Sequence, residues 1–230
     1  MTQINVLSSN AIKVAYLEIQ PQFEKASGHN VTTTWAGTND ILKRMKANET
    51  YDLMIMARPT LDDLAKAGKV VAGSQANLVS SGIGVAVRAG APKPDISSGE
   101  AIKRALLAAK SIGYSQGPSG VYLIKLFERW GIADTIKSRI VQTQPGNPVG
   151  EAIARGEAEI GFQQVSELLP VEGITYVGPL PPDCQEVTTF AGGLHAGGGN
   201  VVAARAWMAY IASASAVPAI RKSGMEPAGR

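Results

Sequence analysis

Apolar and polar positions along this chain follow two alternating periods. Ile4-Asn5-Val6-Leu7 is a short apolar run and predicts a buried strand. After Ser8-Ser9-Asn10 the period becomes helical over residues 11–26, with Ile12, Ala15, Tyr16, Ile19 and Phe23 on one face. Gly28 stands where a helix-ending residue belongs. The β-branched run VTTTW predicts a strand; AGTN then leads into the helical stretch ILKRMKAN and the apolar strand YDLMIM. Further on, the same order recurs: strand SIGYS, loop QGPSG, helix VYLIKLFERW closed by Gly131, strand RIVQTQ, loop PGNP, helix VGEAIAR closed by Gly156, strand EIGFQQ.

Each half therefore reads strand, small polar loop, helix, strand, small polar loop, helix, strand. Alternation of this kind predicts parallel pairing with right-handed crossovers. Between the halves lie a short helix (61–67), an apolar strand (83–87) and the helix AIKRALLAAK; after them come PLPPDC, a mixed segment VTTFAGGLHAGGG and a last helix (201–214). The expected architecture is α/β in two lobes, each a mostly parallel sheet flanked by helices, with a ligand cleft between them. Residues 1–80 with 188–230 form the expected lobe one and 81–187 lobe two, with a hinge near residues 80–84 and 187–193.

Composition narrows the function classes. The chain has 230 residues, 45% hydrophobic and 18% charged, a globular balance that excludes a disordered chain. No apolar run approaches the ~18 residues of a membrane span, so no membrane insertion is expected. One cysteine, Cys184, rules out an internal disulfide framework. The net charge is only +3, the basic residues are scattered and aromatics are 6%, so nucleic acid is not an expected partner. The opening MTQINVLSS carries no basic leader or apolar signal core. As it stands the expected location is cytoplasmic, or periplasmic if a leader has been removed.

Candidate chemistry gathers at four strand-to-helix junctions: Ser8-Ser9-Asn10, Gly37-Thr38-Asn39, Gly117-Pro118-Ser119-Gly120 and Gly146-Asn147-Pro148. Ser, Thr and Asn are ordinary N-caps, and one such loop would mean no more than that. Four at matching points also fit an anion site, because helix N-termini offer unpaired N–H groups and partial positive charge worth about 0.3–1 kcal/mol each. Lys13, Arg44 and Arg58 lie near the first-half loops, as solvated surface charges or as carboxylate partners. Gln163 and Gln164 end a strand and bond either a ligand oxygen or loop backbone.

Other chemistries find little support. His29 and His195 have no metal-site spacing, no GxSxG elbow is present, and Gly197-Gly198-Gly199 reads as a turn. No cofactor or metal is expected. For a proton transfer, Lys13, Tyr114, His195 and, less readily, Glu167 are the candidate bases, and the sequence selects none.

The segments VLSSNAIK, TTTWAGTNDILKRM, YDLMIMA, GPSGVYL, VGEAIARGEAEIGF and the closing GMEPAG resemble the molybdate-binding-type solute-binding proteins, substrate-binding subunits of ABC transporters with the type II periplasmic-binding-protein fold. The resemblance implies a small anionic ligand, a membrane transporter component as partner and a monomer. By position it implies ligand contacts at Ser9-Asn10-Ala11, Thr38 with Asn39, Arg58, Ser119 with Gly120, the Gly146-Asn147 loop, and Gln164. A serine of the family is replaced at Asn10-Ala11 and a tyrosine at Gln164, which implies an organic polycarboxylate rather than molybdate. The stretch FQQVSELLPVEGITYVGPLP is similar to a side branch of the family that includes proteins like aconitate isomerase, implying as the alternative a shift of a double bond within a tricarboxylate.

Overall fold

The structure is a computed structural model that describes residues 2–144 and 147–228. The chain divides into two units, Met1–Ser81 with Thr188–Arg230, and Gly82–Val187.

Unit one opens with β1 (Gln3–Ser9), a short 3-10 turn (Asn10–Ile12), α1 (Lys13–Ser27), β2 (Asn30–Ala36), α2 (Thr38–Lys46), β3 (Leu53–Ala57) and α3 (Arg58–Lys66). The strand β4 (Ala76–Arg88) begins in unit one and ends in unit two. Unit two continues with α4 (Gly99–Ala108), β5 (Ile112–Tyr114), α5 (Pro118–Arg129), α6 (Ala133–Ile136), β6 (Ile140–Gln142), α7 (Val149–Ala154), β7 (Ile160–Gln164), α8 (Val165–Leu168) and β8 (Ile174–Pro179). The chain then returns to unit one as β9 (Val187–Leu194), α9 (Val201–Ile211), α10 (Val217–Lys222) and β10 (Glu226–Pro227).

In unit one, β1 pairs in parallel with β2 and β3, and β9 lies antiparallel on the other side of β3. Alternation along β3 explains the layering. Leu53, Ile55 and Ala57 join a core with Ile4, Val6, Tyr16, Ile19, Phe23 and Trp207, whereas Met54 and Met56 join Leu7, Ile41, Met45 and Leu61. Both faces of the sheet are thus covered, by α1 and α9 on one side and by α2 and α3 on the other. That double burial is why the strand reads LMIMA without polar interruption. Tyr16 anchors the first side: its hydroxyl lies 2.6 Å from Thr33 Oγ1 and accepts from Trp207 Nε1 at 2.8 Å.

Unit two repeats the plan. β5 pairs in parallel with β6 and β7, and β7 runs antiparallel to β4. Ile83, Val85, Ile112, Ile160 and Phe162 pack with α4 and α5, while Ala86, Val149, Ile153 and Leu168 fill the opposite face. Gly161 lets α7 side chains pack close there: an added Cβ would stand 2.6 Å from Ile153 Cδ1 and 2.8 Å from Val149 Cγ1.

Several expectations need correction. The strand expected at 83–87 extends back to Ala76, because Ser80, Ser81 and Gly82 continue an extended backbone that their composition disguises. The mixed segment after PLPPDC is β9, a buried antiparallel strand; its Gly192 and Gly193 let Met208 and Val70 approach to where a Cβ would clash at 2.9 and 2.8 Å. β8, α8, α10 and β10 were not anticipated. Thr38, Ser119 and Gly120 lie in first helical turns rather than in loops, because α2 starts at Thr38 itself and α5 starts at a proline suited to a helix's first turn.

Candidate functional site

In both units the parallel strands deliver their carboxyl ends to helix starts, and the expected site residues occupy those ends. In unit one, Ser9 caps the 3-10 turn, its Oγ accepting from the Ala11 N–H at 3.3 Å. Asn10 opens that turn, and Ala11 is buried in the core. The next strand end gives Gly37 as N-cap of α2, with Thr38 and Asn39 as its first residues. The Gly37 carbonyl accepts from the Asp40 and Ile41 N–H groups at 3.0 Å. The register Ser8↔Trp35 and Ser9↔Ala36 sets the two junctions side by side. Lys13, the first residue of α1, holds its ammonium 5.9 Å from the Trp35 ring centroid.

The two arginines of unit one are engaged within the chain. Arg58 donates from Nε to both carboxylate oxygens of Asp62 at 2.8 and 2.9 Å and from Nη1 to Asn77 Oδ1 at 2.9 Å. Arg44 meets Glu49 at 2.9 Å and Asp40 at 3.5 Å.

At the amino end of β3, Asp52 organises the turn that contains Gly197-Gly198-Gly199. Its carboxylate accepts from the backbone N–H groups of Asn5 (2.8 Å), Asn200 (2.9 Å) and Gly199 (3.1 Å). Burial works to raise its pKa, but these hydrogen bonds outweigh it and hold the carboxyl below the usual range. His195 is buried beside it, with Nδ1 accepting from the Tyr51 N–H at 3.4 Å; burial lowers its pKa.

In unit two, Gly117 caps α5, and Ser119 and Gly120 form its first turn. Ser119 is 1% exposed. Gly120 packs so tightly on the preceding loop that a Cβ would lie 1.7 Å from the Ser115 carbonyl oxygen. Asn147 Oδ1 accepts from Arg155 Nη2 at 2.7 Å, and Gly146 lies outside the described residues. Gln164 ends β7 at 1% exposure, opposite Ile83 on β4.

Its neighbour Gln163 takes the backbone alternative expected of it and adds a contact with Glu167 that the sequence did not indicate. The Gln163 side-chain oxygen accepts from the Val149 N–H at 3.0 Å, and its amide donates to Glu167 Oε1 at 2.9 Å. Burial raises the Glu167 carboxyl to about 7, with the Gln163 hydrogen bond opposing. A glutamate four residues after a strand-end glutamine was the available signal. The other candidate acid–base groups are less suited. Tyr114 is buried in the core of unit two, which raises its pKa, and burial lowers that of His195. No single helix among the described residues is long and apolar enough to cross a membrane.

Comparison with known proteins agrees with the fold. The chain is 40% identical to aconitate isomerase of Pseudomonas sp over 99% of its own length and 88% of the relative's. It is 22% identical to the molybdate-binding protein of Escherichia coli (strain K12), covering 96% of this chain and 88% of that one. Among solved structures, the periplasmic molybdate-binding protein of Azotobacter vinelandii superposes with a TM-score of 0.81 at 17% identity, covering 99% of both chains. The model of the bacterial extracellular solute-binding proteins matches residues 4–226, and the chain belongs to that family.

Proposed function

We propose that the chain binds a small organic polycarboxylate rather than a metal oxyanion, with strand-end helix starts as its ligand-holding elements. One observation carries the reading. A buried glutamine amide, Gln164, ends β7, while Ser9, Asn10, Thr38 and Ser119 line the other strand ends with hydroxyl and amide groups. Amides and hydroxyls match the planar oxygens of carboxylates well. Micromolar affinity needs about 8 kcal/mol, within reach of several such donors acting together. Delivery of the ligand to an ABC transporter membrane component, outside the cytoplasm, belongs to this reading.

A thermal-shift screen of molybdate, tungstate, sulfate, citrate, cis-aconitate and trans-aconitate tests it. Ligand at ~100 times its Kd stabilises by about 2.7 kcal/mol. For a chain of this length that raises the Tm by about 5–10 °C. A response to molybdate alone, or to no anion, sinks the reading.

A second reading, catalysis, is favoured by the 40% identity to an aconitate isomerase and by Glu167, whose carboxyl exchanges a proton near neutrality. Moving a double bond by one position in an unsaturated tricarboxylate removes a proton from the methylene carbon. That electron pair forms the new C=C, and the far carbon of the old double bond takes up a proton. The step is redox-neutral and needs only an acid–base group with a pKa near the working pH. Mixing the protein with cis-aconitate and following the isomer ratio by NMR separates the readings: binding without turnover leaves the binder alone.

A further inference from the structure

Three cations lie near the strand ends of unit one, and two of them are already used. Arg58 is bound by Asp62 and Asn77, and Arg44 by Glu49 and Asp40. Lys13 makes no ion pair among the described residues.

Lys13 is the first residue of the fifteen-residue helix α1, entered from the 3-10 turn that Ser9 caps, and no acidic residue stands in that first turn. The exposed Lys13 side chain carries its ammonium 5.9 Å from the Trp35 ring centroid, a distance at which ring and cation attract. Trp35 pairs in register with Ser8, and Gly37, the cap of α2, follows two residues later. The cation is thereby set beside the first two strand ends.

We propose that Lys13 binds one carboxylate of the ligand and so sets the preference for extended polycarboxylates over compact oxyanions. The assignment rests on the polycarboxylate reading above. A compact tetrahedral anion is satisfied by helix-start N–H and hydroxyl groups alone. A tricarboxylate spreads its charge over several carbons, and a carboxylate beyond reach of the helix starts needs a cation of its own. A Lys ammonium on a flexible stem suits such a contact.

Isothermal titration of the full chain with cis-aconitate, trans-aconitate, succinate, molybdate and sulfate tests the assignment. Lys13→Gln is expected to weaken binding of either aconitate about ten- to hundred-fold, the usual worth of a hydrogen bond to a charged group. The variant should lose the wild-type preference for aconitate over succinate and keep its ligand-free Tm. Lys13→Arg should recover most of the affinity. Unchanged aconitate affinity in Lys13→Gln overturns the assignment, as does an equal loss for every anion. A lowered ligand-free Tm that Arg does not rescue also overturns it, by showing a structural role. If the wild type binds no polycarboxylate, the assignment and the underlying reading fall together. If the wild type binds and the Gln variant binds equally well, only the assignment falls.

Discussion

The two units share an order of elements but differ in how their polar groups are used. In unit two the strand-end groups mostly serve the unit itself. Gln163 bridges Val149 and Glu167, Asn147 takes Arg155, and Gly120 seats a helix against the Ser115 carbonyl. In unit one the helix starts are looser. Gly37 has nothing within 4 Å of where a Cβ would be, and Lys13 lies over an aromatic ring with no ion pair among the described residues. A repeated pattern of strand, loop and helix therefore predicts topology. It does not predict which polar groups remain available to a ligand.

The largest test of this contrast is a pair of glycines. Gly120→Ala drives a Cβ into a backbone oxygen at 1.7 Å, and should cost about 3 kcal/mol or more in urea denaturation. Gly37→Ala meets open space at φ −78 and should cost less than about 1 kcal/mol. Equal losses would remove the distinction between the units.

Next in size is Asp52→Ala. It leaves the Asn5, Gly199 and Asn200 N–H groups without their acceptor and should lower stability by about 2–4 kcal/mol, read in the same denaturation assay.

Smaller effects separate the units by pH. Glu167 has a folded pKa of about 7 against an ordinary value of 4.5. The folded state binds its proton more tightly, so the stability contribution is full below 4.5 and is lost as the pH rises through 7. Glu167→Gln should abolish that decline and, under the catalytic reading, abolish isomer turnover while sparing aconitate binding. His195 runs the other way. Its folded pKa lies below 6.5, so its contribution is intact above 6.5 and erodes as the pH falls below that value. Urea midpoints measured from pH 5 to 8 should show the alkaline slope vanish in Glu167→Gln, and the acid slope shrink in His195→Gln. An unaltered profile in either variant would remove that group from the account.

The fold was legible wherever burial imposed a period. The α1 face carries Ala15, Tyr16, Ile19 and Phe23, all buried, with Ile12 buried in the turn before it, and Gly28 ends the helix at φ 71. The β9 strand was not legible, because packing against Met208 and Val70 demanded Gly192 and Gly193, which read as loop. β8 was missed because its residues are only partly buried and so lack a clean alternation. Among the candidate site residues, the engagement of Arg58 was readable in principle, since Asp62 stands four residues on in a helix. The Lys13–Trp35 contact was not readable, because it depends on the register between β1 and β2, and nothing local in the sequence fixes that register.

The discontinuity of unit one has a consequence for the order of synthesis. Gly82–Val187 is complete as one stretch of nascent chain, so unit two has every residue it needs before the last segment is made. Unit one does not. Until Thr188–Arg230 emerges, β3 lacks β9 along one edge, and Tyr16 lacks Trp207. The apolar LMIMA strand then waits with an open edge, the kind of surface on which nascent chains associate wrongly. The part of the protein synthesised first is thus the last to become whole, and the interval in which the β3 edge stays open is set by the time taken to translate unit two.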